Sequence, residues 1–294
     1  CHITFAISGL CMFCVLYNLL RDNNCDTMVL NNFRHYNTYI YIIMKVCFIT
    51  SIIAENKEFG DRIKNFTKNP NHDYFLFTNL NEKEYMNYYD SWTPITIKSE
   101  VLEGLKSNVY KSRYVKFLGW KYIKKYFKKD YDMIVYCDAV LYPKSSFDWE
   151  KLYEQVKQYG IVQRIHPKNK NGHDAYLECD AVIKAHKDSE ANMENLKNFL
   201  MKNSMPKGCL LTENKVFAYD PKNTKIIETF EFFWEIYIKG LTHRDQSLWS
   251  YVLWKTNIQP YINKDTNLTY PVWNKNFPFK LTGSNNGFKC HKYV

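Results

Sequence analysis

Short apolar runs that alternate with longer amphipathic segments constrain the fold of this chain more than any other feature. Residues 46–53, 74–78 and 133–136 are strand-like apolar runs, and helical patterns lie between and after them. Such alternation is the sequence signature of an α/β layer structure, in which helices cover the faces of a sheet. We therefore predict an α/β fold with a mostly parallel central sheet flanked by helices.

Three segments have the apolar spacing of amphipathic helices. Residues 109–127 place apolar side chains on one face and basic side chains on the other, and residues 225–239 repeat apolar and aromatic side chains at helical spacing. Gly240 is well placed to end the second of these helices. A third helix is predicted to begin near Thr242, and residues 58–66 can form a short helix between the first two strands.

Composition indicates a folded globule with anionic partners. Apolar residues make up 46% of the 294 residues and aromatic residues 17%, which excludes a disordered chain. The net charge of +10 favours diphosphates, nucleic acid or an acidic membrane surface. Much of the basic excess fits the solvated face of the 109–127 helix, at Lys121, Lys124, Lys125, Lys128 and Lys129.

The first 43 residues are interpreted as an N-terminal appendage, and residues 44–294 as one catalytic domain. Residues 3–20 form an apolar run of membrane-spanning length, so the appendage is either a signal anchor or non-native upstream sequence. A native anchor implies a type II protein of the Golgi or ER membrane. Without it, we expect a cytoplasmic or viral protein.

The nine cysteines do not have the spacing of a structural zinc site. Cys47 and Cys137 lie inside strand-like runs, where a buried thiol behaves as a small hydrophobic side chain. We expect both to be free. The catalytic domain is therefore not expected to depend on disulfides.

The apolar run of residues 133–136 ends at Cys137-Asp138, which places the Asp138 carboxylate at the edge where open α/β sheets bind ligands. A carboxylate there can hold Mg²⁺ or Mn²⁺ and so neutralise a diphosphate. The usual second acid, two positions on, is replaced by Val140. The alternative is that Asp138 is only a turn or cap residue.

The segment Thr242-His243-Arg244-Asp245-Gln246 has two interpretations. Thr242 followed three residues later by an acid resembles a capping box at the start of a helix. Alternatively, Asp245 lies beside an acceptor hydroxyl and acts as a base or as an orienting group. Both interpretations stay open at the level of sequence.

Other polar residues complete the candidate site. The run that contains Arg164, His166, His173, Glu178 and Asp180 is either a glycan-recognition loop or a merely solvated loop. Basic side chains just before the Asp138 strand can contact phosphate oxygens, namely Lys111, Arg113 and Lys116. His291 is a candidate late metal ligand, although a lone histidine is more often structural.

Three common ligand-binding motifs are absent from the sequence. It contains no Gly-x-Gly-x-x-Gly, no Gly-Lys-Ser/Thr phosphate loop and no Gly-x-Ser-x-Gly elbow. These absences exclude dehydrogenase, P-loop and α/β-hydrolase interpretations.

Five segments in order resemble a family of GT-A-like glycosyltransferases with members in plants, bacteria and large DNA viruses. Four of them are residues 45–51 leading to 74–78, residues 111–114 before 131–132, His166-Pro167, and residues 208–214. The fifth and most specific comprises residues 233–236, then Arg244-Asp245-Gln246-Ser247, then residues 251–255. The resemblance covers roughly residues 44–255.

The resemblance implies a GT-A fold that binds a nucleoside diphosphate sugar, most plausibly a UDP-sugar, together with Mn²⁺ or Mg²⁺. The sugar is then transferred to a hydroxyl of a glycan or glycoconjugate, and specific nucleic-acid binding is not expected. The resemblance also implies that Asp138 lies at the donor site, that Asp245 lies near the donor sugar or the acceptor, and that Glu213 and Asn214 face the sugar. Together with the residues considered above, the predicted catalytic residues are Asp245 and Glu213, and the predicted metal ligands are Asp138 and His291, of which His291 lies beyond the resemblance. The predicted donor-binding residues are Lys111, Arg113, Lys116, Asp138, His166, Asn214, Arg244 and Gln246.

Two other functions stay open. A sugar-phosphate nucleotidyltransferase uses a related fold, but it consumes a nucleoside triphosphate and releases pyrophosphate. A non-catalytic basic protein that binds nucleic acid or an anionic glycan is the alternative outside the enzymes.

Val140 departs from the polar residue that the family usually has at this position, and this departure weakens the metal assignment.

Overall fold

The structure is a computed structural model. It describes residues 44–55, 66–81, 91–144, 147–169, 172–262 and 279–281. The short helix predicted within 58–66 lies outside the described residues except for Phe66. The candidate ligand His291 also lies outside them. The apolar run at 3–20 lies outside them too, so the boundary at residue 44 stays a prediction. Within the described ranges, none of the helices is both long and apolar enough to cross a membrane.

The centre of the fold is a sheet with the strand order β3-β2-β1-β4-β7-β6-β8. Strands β1 to β4 run parallel to one another, β7 is antiparallel to both of its neighbours, and β8 is parallel to β6. A separate antiparallel pair joins β5 and β9. The strands are β1 Val46–Ile52, β2 His72–Thr78, β3 Thr93–Thr96, β4 Met133–Cys137, β5 Leu141–Pro143, β6 Ile161–Ile165, β7 Thr212–Tyr219, β8 Tyr261–Ile262 and β9 Phe279–Leu281.

Helices cover both faces of this sheet. They are α1 Ser99–Leu102, α2 Asn108–Tyr122, α3 Trp149–Tyr159, α4 Ala175–Lys184, α5 Glu190–Lys202, α6 Thr224–Tyr237 and α7 Gln246–Lys255. Alternate residues of β1 enter two different cores, since Cys47 and Ile49 pack with α2, α6 and α7, whereas Val46 and Phe48 pack with α3. The predicted α/β fold, a mostly parallel sheet flanked by helices, is confirmed.

Helix α2 packs closely on the sheet. A Cβ atom added at Gly119 would lie 2.9 Å from Ile49 Cδ1, so the helix reaches β1 at a distance that a glycine permits. The helix continues as a π-helical turn over Ile123–Phe127. Its predicted basic face is exposed, as expected, at Lys121, Lys124, Lys125, Lys128 and Lys129.

The core above α2 is aromatic. The ring of Phe117 lies 4.0 Å from that of Phe233 and 5.3 Å from that of Trp249, measured between centroids. Phe117 is fully buried, and Phe217 stacks on its other side at 5.9 Å. Such contacts join α2, α6, α7 and β7 into one packed unit.

Two local predictions have opposite outcomes. Cys47 and Cys137 are buried free thiols, as predicted. The capping box at Thr242 is wrong, because α7 begins only at Gln246. The Thr242 hydroxyl donates to Asp188 at 2.9 Å and accepts the Arg244 N–H at 2.7 Å, so it stabilises a turn before the helix.

Replacement of Phe117 by alanine should destabilise the fold by about 3–5 kcal/mol, because it opens a cavity between α2 and the side chains of α6, α7 and β7 that pack on it. Phe127→Ala is the matched control, since it lies at the end of the same helical segment and is 37% exposed. We expect the control to cost roughly 1 kcal/mol or less. Urea unfolding of both variants measures the difference, and equal losses would contradict the described core.

Candidate active site

The strand directions bring several of the predicted residues to one edge of the sheet. Because β7 is antiparallel to β4 and to β6, it begins at the edge where those two strands end. Asp138 follows β4 and His166 follows β6, whereas Glu213 and Asn214 lie at the start of β7. Open α/β sheets bind ligands at this kind of edge.

A cavity of about 340 Å³ opens at this edge. A volume of this size suits a small molecule or part of a larger ligand. Its lining includes four acidic residues, Asp138, Glu178, Glu213 and Asp245, and six basic residues, Arg113, Lys116, Lys168, Lys187, Lys215 and Arg244. The basic excess favours an anionic ligand.

Helix α2 supplies two cations to the cavity from one face, because Arg113 and Lys116 are three residues apart. Arg113 Nε lies 3.2 Å from Asp245 Oδ1. Lys116 Nζ lies 3.0 Å from Asp245 Oδ2 and 3.5 Å from Asp138 Oδ1, so one buried ammonium contacts both carboxylates. Asp138 and Asp245, which the sequence singled out as separate candidates, therefore line the same cavity.

The charge environment of Asp245 determines what its carboxylate can do. Burial would raise its pKa, but Arg113 and Lys116 outweigh burial and hold the pKa well below the usual range. In turn, Asp245 outweighs the effect of burial on Arg113 and raises the pKa of that guanidinium. A general base works best with a pKa near the working pH. The orienting role, left open by the sequence, therefore fits Asp245 better than the role of base.

Asp245 occupies the N-cap position of α7, yet its side chain makes no capping hydrogen bond. The side chain instead accepts a hydrogen bond of 3.4 Å from Asn214 Nδ2. Asn214 Oδ1 accepts from Gln163 Nε2 at 3.2 Å, and Gln163 Oε1 accepts from Trp249 Nε1 at 3.0 Å. The cap interpretation is wrong, and a buried polar chain links Asp245 to the aromatic core.

Gln163 is a residue of this network that the sequence reasoning missed. It is almost fully buried in β6, between Val162 and Arg164. A glutamine that interrupts an apolar run is a usable signal, because buried amides require hydrogen-bond partners. Its partners, however, come from β7 and α7, which no local pattern reveals.

Among the residues that the structure describes, Asp138 does not have the oxygen ligands that a divalent cation needs. Its Oδ1 accepts a hydrogen bond of 2.9 Å from the Tyr136 hydroxyl and lies beside the Lys116 ammonium. Val140, which stands where a second acid is usual, packs against the hydrophobic core. Mg²⁺ and Mn²⁺ prefer several oxygen ligands and are repelled by a neighbouring ammonium. The donor set at Asp138 therefore does not fit the predicted ion.

Glu213 and Gln246 hold the start of β7 in place. Glu213 Oε2 lies 3.3 Å from Arg164 Nη2, and Glu213 Oε1 lies 3.5 Å from Lys215 Nζ. Gln246 Nε2 donates to the Thr212 carbonyl at 2.9 Å, which connects the first residue of α7 to β7. Both side chains line the cavity.

The polar run after β6 is only partly a loop. Helix α4 begins at Ala175, and the Asp174 carboxylate caps it by accepting the N–H groups of Tyr176 and Leu177. Glu178 and Asp180 are therefore helical, which corrects the loop interpretation.

Burial lowers the pKa of His166, which favours its neutral form.

The predicted site residues thus separate into three groups. Lys111 does not belong to the cavity lining, and His291 lies outside the described residues. The lining contains the others, namely Arg113, Lys116, Asp138, His166, Glu213, Asn214, Arg244, Asp245 and Gln246. Their catalytic and binding roles stay predictions.

Fold and cavity together define an α/β protein with a charged cavity at the edge of a mixed sheet. No protein-family model and no curated protein sequence matches the chain. Among solved structures it is similar to the apo form of the bifunctional glycosyltransferase WbbM, with 11% identity over 83% of this chain and a TM-score of 0.46. The chain spans 46% of the length of that protein.

A second similar structure is the apo form of mouse xyloside xylosyltransferase 1. The identity is 10%, the match covers 76% of this chain and 86% of the mouse protein, and the TM-score is 0.42. Both of these proteins are glycosyltransferases by name. Likeness at this level of identity does not establish a function for this chain.

Asp245→Asn should change how stability depends on pH. Because the pKa of Asp245 is lowered by folding, its stabilising effect is complete above the unfolded-state pKa and is lost as the pH falls below about 4. At pH 7, the variant removes the carboxylate partner of Arg113 and leaves Lys116 with Asp138 alone, so it should be less stable by about 3–5 kcal/mol. This difference in unfolding free energy between the variant and the wild type, the stability gap, should become smaller as the pH falls below about 4.

Denaturant unfolding from pH 7 to pH 2.5 measures the gap between Asp245→Asn and the wild type. Asp130→Asn, at an exposed position, is the control and should give a gap close to zero throughout. A gap for Asp245→Asn that stays constant down to the lowest pH would contradict the ion-pair description.

Proposed function

We propose that this protein is a glycosyltransferase that moves a sugar from a nucleoside diphosphate sugar, most plausibly a UDP-sugar, to a hydroxyl of a glycan or glycoconjugate. The observation that carries the proposal is the cavity in which the cations of α2 meet the carboxylates of Asp138 and Asp245. The sequence resemblance to GT-A-like glycosyltransferases points in the same direction.

The basic residues of the cavity suit the diphosphate. A leaving nucleoside diphosphate gains negative charge as its bond to the sugar breaks, and fixed cations stabilise that charge. Lys116 is buried, the Arg113 side chain is 16% exposed, and Asp245 holds both in position. Arg244 also lines the cavity and offers a planar set of donors to phosphate oxygens. These side chains provide charge neutralisation within the protein itself.

The start of β7 suits the sugar. Glu213 and Asn214 line the cavity with a carboxylate and an amide, which can accept from and donate to sugar hydroxyl groups. Both are buried, and their partners on β6 and α7 fix their side chains. Fixed polar groups of this kind provide specificity for one arrangement of hydroxyl groups.

In the proposed reaction, the acceptor hydroxyl oxygen bonds to the anomeric carbon, while the bond from that carbon to the diphosphate oxygen breaks. The electron pair of the broken bond leaves with the nucleoside diphosphate, and the hydroxyl proton is released. Asp245 orients the sugar or the acceptor by hydrogen bonding, because its low pKa makes it a weak base. Arg113 and Lys116 stabilise the departing charge.

The nucleic-acid alternative is less consistent with the surface. Two lysines of the basic face on α2 are paired with acids, Lys121 with Glu231 at 2.8 Å and Lys129 with Asp73 at 2.9 Å. Such pairing reduces the charge that this face can offer to a phosphate backbone. The nucleotidyltransferase alternative is separated by its product, since it releases pyrophosphate.

A panel of nucleoside diphosphate sugars, assayed for binding and for slow hydrolysis with and without Mn²⁺, tests the proposal without knowledge of the acceptor. We expect one donor to bind and to release free sugar and nucleoside diphosphate. Pyrophosphate release from a nucleoside triphosphate and a sugar phosphate would instead identify the alternative enzyme. Binding to nucleic acid without affinity for any donor would contradict both enzymatic functions.

Arg244→Gln should weaken donor binding by roughly tenfold or more, because it removes a charge-assisted hydrogen bond to phosphate. Lys121→Gln is the matched control: it removes an equal charge from the exposed face of α2 and should leave the affinity unchanged. Isothermal titration of both variants with the best donor measures the effect. Equal affinities for the two variants would show that the cavity does not bind the phosphates.

A further inference from the structure

Two histidines and a glutamate cluster between β6 and α4. His166 directly follows β6, His173 precedes α4, and Glu178 lies in the first turn of that helix. His173 Nε2 lies 2.7 Å from Glu178 Oε2, and His166 Nε2 lies 4.0 Å from the same oxygen. One potential ligand atom from each residue lies within 4.8 Å of the other two.

The local structure holds these three side chains in place. The two imidazole rings stack at 5.4 Å between centroids, with 23° between their planes. The Asn169 side-chain amide donates to the His173 carbonyl at 2.8 Å, and the capped first turn of α4 fixes Glu178. The cluster is thus organised before any ligand arrives, which lowers the cost of binding one.

The cluster faces the cavity and is not fully satisfied by protein contacts. His166 and Glu178 line the cavity, and the side chains of all three residues are between 12% and 15% exposed. His166 Nδ1 is buried and lacks a hydrogen-bond partner among the residues that the structure describes. The group can therefore be reached from the cavity and has coordinating capacity to spare.

The ligand set defines the class of ion. Two imidazoles and one carboxylate suit Zn²⁺ and the neighbouring first-row ions, whereas Mg²⁺ prefers oxygen ligands alone. Three protein ligands leave further coordination positions open, as in catalytic zinc sites. These positions would face the cavity, because two of the three ligands line it.

We propose that His166, His173 and Glu178 bind one divalent transition-metal ion, of the Zn²⁺ class, in the wall of the cavity. This site is separate from Asp138, whose surroundings do not fit a cation. Binding of the ion needs only these three side chains, so it does not depend on the proposed glycosyl transfer.

Titration of the tag-free full chain with Zn²⁺, and with Co²⁺ as a spectroscopic probe, tests this site. We expect one equivalent of either ion to bind, a Co²⁺ spectrum free of thiolate charge-transfer bands, and no competition from an excess of Mg²⁺. His173→Gln and Glu178→Gln should each weaken binding by at least about tenfold. Glu178→Gln preserves the side-chain shape and an acceptor for His173, so the fold should survive.

His186→Asn is the matched control. His186 is exposed and adopts a positive φ of 51°, a conformation that asparagine tolerates, and it lies outside the cluster. The control should bind Zn²⁺ as tightly as the wild type, and thermal unfolding in EDTA should show that all variants fold. The proposal is overturned if the wild type binds no ion, if both cluster variants bind as tightly as the control, or if the Co²⁺ spectrum shows cysteine ligation.

Discussion

The buried ammonium of Lys116, shared by Asp138 and Asp245, is the interaction on which the geometry of the candidate site depends. It requires α2 to lie close to the sheet, and Gly119 permits this approach. It also requires α7 to begin at the sheet edge, where Gln246 connects the helix to β7. Burying these charges removes their hydration, which the ion pairs only partly offset. The ion pairs of Lys116 with Asp138 and Asp245 therefore contribute little to stability, but they strongly constrain where these side chains lie.

The hydrophobic core provides the stability that the charged cluster does not. The aromatic side chains of α2, α6, α7 and β7 pack directly behind the cavity, around Phe117 and Phe233. Trp249 belongs to this core and also donates to Gln163, which reaches Asp245 through Asn214. The carboxylate is thus fixed from two sides, by cations and by a hydrogen-bonded chain that starts in the core. Fixed dipoles and charges of this kind are what electrostatic stabilisation of a transition state requires.

The parts of the fold that sequence predicted are those that depend on local pattern. The apolar runs identified β1, β2 and β4, and the position of Asp138 followed from the end of β4. The start of α7 was predicted too early, because the sequences of a capping box and of a turn are similar. They can be told apart only when the hydrogen-bond partner of the Thr242 side chain is known. Thr242 bonds to Asp188, which lies far away in the chain, and no window around Thr242 contains that information.

The same limit applies to the site. Sequence identified Asp138 and Asp245 as candidate site residues, but the cations that lower the pKa of Asp245 come mainly from α2, and only the packed structure shows their effect. His166 lies after β6, His173 lies before α4 and Glu178 lies within that helix, so no single helical or strand pattern brings the three side chains together. Glu178 was assigned to a loop, because the cap at Asp174 was not recognised.

In the proposed function, charge neutralisation in this cavity would be divided between two kinds of group. Where a second acid and a cation are expected, the chain has Val140 and the Lys116 ammonium, which already lies within ion-pair distance of Asp138. A cation bound at Asp138 would have to displace that ammonium and find other oxygen ligands. Protein side chains can neutralise a diphosphate there without this cost. An ion at the histidine cluster would add positive charge to another part of the wall, where two imidazoles and one carboxylate are already arranged.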